Sequence, residues 1–100
     1  MSMLHDKKRF KILFASRLVI EKGVNILIDT IEAGMLDSQL SSDVVWTICS
    51  DGEYSDAILQ LVEKYPKNIQ YLGKVSPEEL ASLYREHDIL FMPSRFLETF

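Results

Sequence analysis

A chain of 100 residues, 47% hydrophobic and 26% charged, can build one small domain around one core, and its composition shows neither disorder nor low complexity. Eleven Lys and Arg against fifteen Asp and Glu give a net charge of −4 and a pI near 5.1. That excludes a broad nucleic-acid footprint, so any cation that matters acts locally. No apolar run reaches the roughly 18 residues of a spanning helix and no signal-type hydrophobic region follows the amino terminus, so a soluble, cytoplasmic chain is expected.

Residues 1–9 are polar, with a Lys7-Lys8-Arg9 cluster, and read as a disordered lead-in or linker. Ile12-Leu13-Phe14-Ala15 is apolar at consecutive positions, which suits a strand covered on both faces in a parallel sheet. It stops at a polar turn carrying Arg17 and Lys22. From Lys22 to Leu36 the apolar residues Val24, Leu27, Ile28, Ile31 and Met35 mark a first helix, with Gly34 near its end. The serine-rich stretch 37–43 reads as a loop, and 44–49 as a β-branched and aromatic strand. Its Cys49, the only cysteine, has no disulfide partner and reads as buried packing in a reducing compartment. Ser50-Asp51-Gly52 turns the chain. Ala57, Ile58, Leu61, Val62 and Tyr65 mark a second helix that Pro66 ends. Ile69 to Leu72 is a short strand ending at Gly73. Ser76-Pro77-Glu78-Glu79 opens a third helix at Pro77 with a capping box, and that helix buries Leu80, Ala81, Leu83 and Tyr84. Ile89 to Met92 is a fourth, all-apolar strand ending in Pro93-Ser94.

The order β-α-β-α-β-α-β constrains the topology, because parallel crossovers are right-handed. Two helices lie on one face if the second and third strands are added on one side of the first. If the third helix crosses to the other face, the fourth strand lands on the free side of the first. The expected fold class is therefore α/β: a partial Rossmann-like, doubly wound parallel sheet in the order 3-2-1-4 with helices on both faces. The loops leaving the first and fourth strands then diverge and open a crevice, which would be lined by Arg17, Lys22, Ser94, Arg95 and Glu98.

Two cations beside a helix amino terminus suit an anion such as a diphosphate, because free amides, dipole and side chains all favour negative charge. The alternative at this point is that Glu21 neutralises Lys22 and Arg17 pairs on the surface. Other ligand classes lack their residues. No glycine-rich turn follows the first strand, no GxxxxGK(S/T) occurs, and the acidic residues of a phospho-receiver are replaced by Ala15-Ser16-Arg17. No Asp-x-Asp pair, Cys/His cluster or His-x-x-x-His is present, so no metal is expected. His5 and His87 read as incidental.

The strings ASRLVIEKG, ICSDGEY, IQYLGKVSPEELASLYREHDILFMPS and RFLETF, spread from about Ile12 to Phe100, resemble the carboxyl-terminal, nucleotide-sugar-binding domain of the group 1 (family 4) glycosyltransferases of GT-B fold. The resemblance implies that residues 10–100 are the amino-terminal half of that donor-binding domain. It implies that Arg17 and Lys22 neutralise the diphosphate of a UDP- or GDP-sugar, and that Glu98, the first glutamate of the family's E-x7-E motif, lies at the donor sugar. Ser94 and Arg95 fall in the adjoining donor loop. Asp51 and Gly52 match the family's Gly-Asp-Gly turn, with a structural role the preferred reading. Ser16 and Ser50 stand where the family usually has glycine, and the second glutamate of E-x7-E has no residue in this chain.

The function implied by this resemblance is retaining, metal-free transfer of a hexose-type sugar from a nucleotide donor to an acceptor hydroxyl, with no cofactor. The acceptor class, whether sugar, lipid or polysaccharide precursor, is open. In such a transferase Arg17 and Lys22 stabilise the leaving diphosphate and Glu98 positions the donor, and these three are the residues expected to carry catalysis. The isolated segment is expected to be inactive and to self-associate through its sheet edge. A cytoplasmic location, with peripheral membrane attachment open for the full-length protein, completes the expectation. The competing class is a non-catalytic nucleotide-binding or interaction module that keeps the half-sheet.

Overall fold

The computed structural model describes residues 9–93, the side chains of residues 39 and 40 excepted. Four parallel strands, β1 (Phe10–Phe14), β2 (Val44–Cys49), β3 (Ile69–Gly73) and β4 (Ile89–Leu90), form one sheet in the order β3-β2-β1-β4. The expected order 3-2-1-4 is the observed one. A 3-10 turn (Ile20–Lys22) and helices α1 (Val24–Met35), α2 (Ser38–Asp43), α3 (Ser55–Lys64) and α4 (Pro77–Glu86) connect the strands.

Register divides the sheet into two faces. Ile12, Phe14, Trp46 and Ile48 share one face, because Ile12 is opposite Trp46 and Phe14 opposite Ile48 in a parallel ladder with a side-chain period of two. These residues join Val24, Leu27 and Ile31 of α1 and Ile58 and Leu61 of α3 in the main core. Leu13, Thr47 and Cys49 point to the other face, outside that cluster. There α4 lies, with Leu80 beside Ala15 and Cys49 and Tyr84 beside Leu13. Helices thus lie on both faces, as the handedness rule requires once the chain reverses direction across β1.

Three local expectations need correction. The first helix does not begin at Lys22: a 3-10 turn ends there, and Gly23, with φ 82°, caps α1. Stretch 37–43 is mostly helix, α2, rather than loop. Its Ser41 amide donates to Asp37 O at 2.8 Å, and its carboxyl end is held from far away, since the Asn68 side-chain amide donates to Ser41 O and Val44 O. No local pattern announces a short helix stabilised that way. The fourth strand is two residues long, and Ile89 and Leu90 are both exposed rather than buried.

The opening of α4 follows its sequence signature: Glu79 N donates to Ser76 Oγ at 3.1 Å and Ser76 N to Glu79 Oε1 at 2.7 Å, with Pro77 at the first helical position. His87, expected to be incidental, ties α4 to β2. Its Nδ1 is 2.7 Å from Leu83 O and its Nε2 is 2.7 Å from Thr47 Oγ1. A carbonyl can only accept, so Nδ1 carries the proton, and in the neutral ring Nε2 accepts from the threonine hydroxyl. Arg9, the last residue of the expected lead-in, donates to Lys67 O at 2.7 Å, at the opposite end of the sheet from the loops that carry Arg17 and Asp51.

Candidate functional site

Two loops meet at the carboxyl edge of the sheet, one leaving β1 and one leaving β2, and Leu18 joins them. Its side chain is fully buried in the core, its amide donates to Asp51 O at 2.9 Å, and its carbonyl accepts from Tyr54 N at 3.1 Å. Gly52 packs on the same residue so closely that a Cβ there would lie 2.6 Å from Leu18 O and 2.9 Å from Leu18 N. Asp51 and Gly52 therefore have the structural role expected of them: they build a turn, through backbone atoms. The result is a rigid seat for Arg17 and Val19 on either side of Leu18.

The loop from β1 then meets the chain leaving β4. A Cβ on Gly23 would overlap the carbonyl oxygen of Pro93 and stand 2.7 Å from its carbonyl carbon and 2.9 Å from its ring Cγ. With φ 82° as well, the position admits glycine alone without distortion. The exits of β1 and β4 are thus in contact at the point where strand order reverses, as a doubly wound sheet requires. Ser94, Arg95 and Glu98 lie outside the described residues.

The β1 exit loop and Glu53, from the β2 exit, line a cavity of about 420 Å³, with Arg17, Val19, Glu21 and Lys22 as the loop's contribution. Arg17 and Lys22, singled out from the sequence as a pair, line one wall system. The Arg17 side chain makes no hydrogen bond or ion pair to another described residue, whereas Glu21 and Lys22 both have further partners. The amino end of α1 follows this loop with no acidic residue in its first turn and no side-chain cap; Val24 N donates to Val19 O at 3.4 Å, and the dipole of that end favours an anion. Glu53 is the lining residue that sequence reasoning misses. The periodicity marks it only as the start of a helix, and the available signal is its place directly after the Asp51-Gly52 turn. With Glu21 it brings two carboxylates to balance the two cations.

A second cavity of about 220 Å³ opens at the same edge under α4, lined by Ala15, Cys49, Ser50, Lys74, Val75 and Leu80. Burial, and secondarily the charge of Glu79, push the Cys49 thiol up from its ordinary value, so it stays protonated and inert. That agrees with the packing role expected of it.

Residues 2–100 match the family model described as glycosyl transferases group 1. The chain belongs to this family. Similar proteins include a glycogen synthase from Mycoplasma mobile, 28% identical over 96 residues that cover 96% of this chain and 20% of that protein. A glycogen synthase from Thermotoga petrophila is 32% identical over 81 residues, covering 81% of this chain and 16% of that protein. The chain therefore spans about a fifth or less of the length of the curated relatives it matches. Among solved structures, the pneumococcal O-GlcNAc transferase GtfA, in complex with UDP and GlcNAc, superposes with a TM-score of 0.67 at 19% identity, covering 87% of this chain and 17% of that one. That likeness places the half-sheet in the GT-B fold.

For a group 1 glycosyltransferase the two serine departures now separate. Ser50, where the family usually has glycine, adopts φ 85°, the left-handed conformation that costs a residue with a Cβ about 1–2 kcal/mol. Ser16 is not among the residues of positive φ, so its backbone imposes no such demand. The strand opposite Ser50 is irregular as well: between Tyr71 and Gly73 the register with β2 slips by one residue, a bulge, and Gly73 has φ 69°. Bulges of this kind re-aim backbone beside functional sites. Here the bulge brings Gly73 O to within 2.6 Å of the Ser50 amide.

Proposed function

We propose that this chain is the nucleotide half of a glycosyltransferase's donor domain, and that the cavity between Arg17 and Lys22 takes the diphosphate of a UDP- or GDP-sugar. The observation that carries the reading is that both cations of the β1 exit loop line one cavity, in a loop that goes on at Gly23 to touch the β4 exit at Pro93 and to open α1. Arg17 supplies up to five rigid donors suited to phosphate oxygens, and Lys22 a mobile point charge. As the sugar leaves, negative charge builds on the diphosphate, and donors already aimed at it stabilise that charge without a metal. Glu98, in the segment following Pro93, is the residue we assign to donor positioning; Ser94 belongs with it. Transfer of a hexose-type sugar to an acceptor hydroxyl with retention is the full-length activity we infer, while the 100-residue segment by itself is inactive.

The test is titration of the full-length protein with UDP- and GDP-sugars, beside an Arg17→Ala variant. Loss of one charge-assisted hydrogen-bond partner should weaken donor binding about tenfold to a hundredfold. Unchanged affinity for both nucleotides in that variant would refute the diphosphate assignment. For the isolated segment, Ile89, Leu90 and Met92 are 48%, 42% and 57% exposed along the β4 edge, which supports self-association there. Sedimentation that stays monomeric at high concentration would rule it out.

A further inference from the structure

The turn that seats Leu18 is built around a strained residue, and one side chain from another strand reaches it. The Tyr71 hydroxyl, on β3, lies 2.7 Å from Ser50 O and 3.4 Å from Ser55 Oγ. Ser55 in turn closes the loop on itself: its hydroxyl donates to Gly52 O at 2.9 Å and lies 3.1 Å from Gly52 N. Carbonyl oxygens accept only, so the tyrosine proton is committed to Ser50. Ser50 is the one described residue other than glycine with positive φ. Its amide is held by Gly73 O, its carbonyl by Tyr71, and the next carbonyl, that of Asp51, receives Leu18 N.

We propose that Tyr71 is a positioning residue for the anion cavity: its hydroxyl holds Ser50 in the left-handed turn that presents the Asp51 carbonyl to Leu18, and so fixes Arg17. The effect runs from Tyr71 through Ser50, Asp51 and Leu18 to Arg17. Two of its steps are hydrogen bonds, of 2.7 Å from Tyr71 to Ser50 and 2.9 Å from Leu18 to Asp51, and the others join adjacent residues. The Tyr71 ring also packs against the core, so removal of the hydroxyl alone leaves that packing in place. The consequence for binding rests on the donor reading of the cavity. A glycine at position 50 adopts φ 85° without strain and has no need of the hydroxyl. The two positions are therefore coupled, which a tyrosine acting only as core filler would not produce.

The experiment compares Tyr71→Phe, Ser50→Gly and the double variant in the full-length protein, by amide hydrogen exchange at Leu18 and by UDP titration. In Tyr71→Phe the Leu18 amide should exchange about tenfold faster, the equivalent of one ordinary hydrogen bond, while the Trp46 amide, which donates to Asn68 O near the other end of β2, stays protected. UDP affinity should fall by about threefold to tenfold, a range set by the same bond. The Ser50→Gly change should restore both in the double variant. Unchanged exchange at Leu18, equal loss at Trp46, unchanged UDP affinity beside a loosened Leu18, or no rescue by Ser50→Gly each overturns the proposal. If the unaltered protein binds neither UDP nor GDP, the donor reading fails by itself, and exchange at Leu18 with its rescue still decides whether Tyr71 holds the turn.

Discussion

The two faces of the sheet are stabilised by different forces. On one face Phe14 and Ile48 of the sheet meet Leu27 and Ile31 of α1 and Ile58 of α3, all fully buried. Under α4 the same strands present Leu13, Thr47 and Cys49, and α4 buries no residue completely. That helix is held by its capping box and by the His87 bridge to Thr47. The sheet residues are buried on both faces, Leu13 and Cys49 under α4 included, and the contrast lies in the covering helices: α4 adds polar ties where α1 and α3 add buried apolar side chains.

Mutations can break or sharpen this contrast. Phe14→Ala should cost about 3–5 kcal/mol in urea unfolding, the value for deleting a fully buried aromatic ring. His87→Ala should cost less, about 1–3 kcal/mol, since it leaves the nearly buried Thr47 hydroxyl without its partner. Equal losses from the two would erase the distinction between faces. Ser76→Ala should remove about 1 kcal/mol and act on α4 alone, visible as faster exchange in its first turn.

Smaller effects belong to the α1–α3 side. Gly34 is inside α1 and a Cβ there meets nothing within 4 Å, so Gly34→Ala should stabilise by about 0.5–1 kcal/mol. A destabilising result would mean that α1 is strained where it ends. Glu32 accepts from Tyr65 Oη at 2.8 Å and pairs with Lys64 at 3.3 Å, tying α1 to α3. The tyrosine hydrogen bond, which is the largest influence, holds its carboxyl below the ordinary value; desolvation opposes it, and the hydrogen bond and charge of Lys64 lower it further. Stability from this group is whole above the ordinary glutamate value and is lost as pH falls through the lowered folded one. Glu32→Gln should flatten that part of the pH–stability curve, and an unchanged curve would show that the cluster contributes nothing.

The candidate site was legible in unequal parts. Arg17 and Lys22 could be named because both follow an apolar strand and precede an apolar stripe, positions that handedness places at a crevice. Glu53 could not, because its proximity to Arg17 depends on Leu18 bonding to Asp51 and Tyr54, contacts across more than thirty positions of chain. The helical character of 38–43 was hidden for the same reason: Asn68, from beyond the next helix, bonds Ser41 O in its last turn and Val44 O just past its end.

The sequence by itself determined the strand and helix alternation, the sheet order and the start of α4 at Pro77, because apolar period, capping residues and crossover handedness are local or general rules. Only the tertiary structure decided that Gly23 lies under Pro93, that Ser50 takes a left-handed turn opposite a bulge, and that Tyr71 reaches its carbonyl. These depend on where separate strand ends come together in space, and no single stretch of chain encodes the distance between two others.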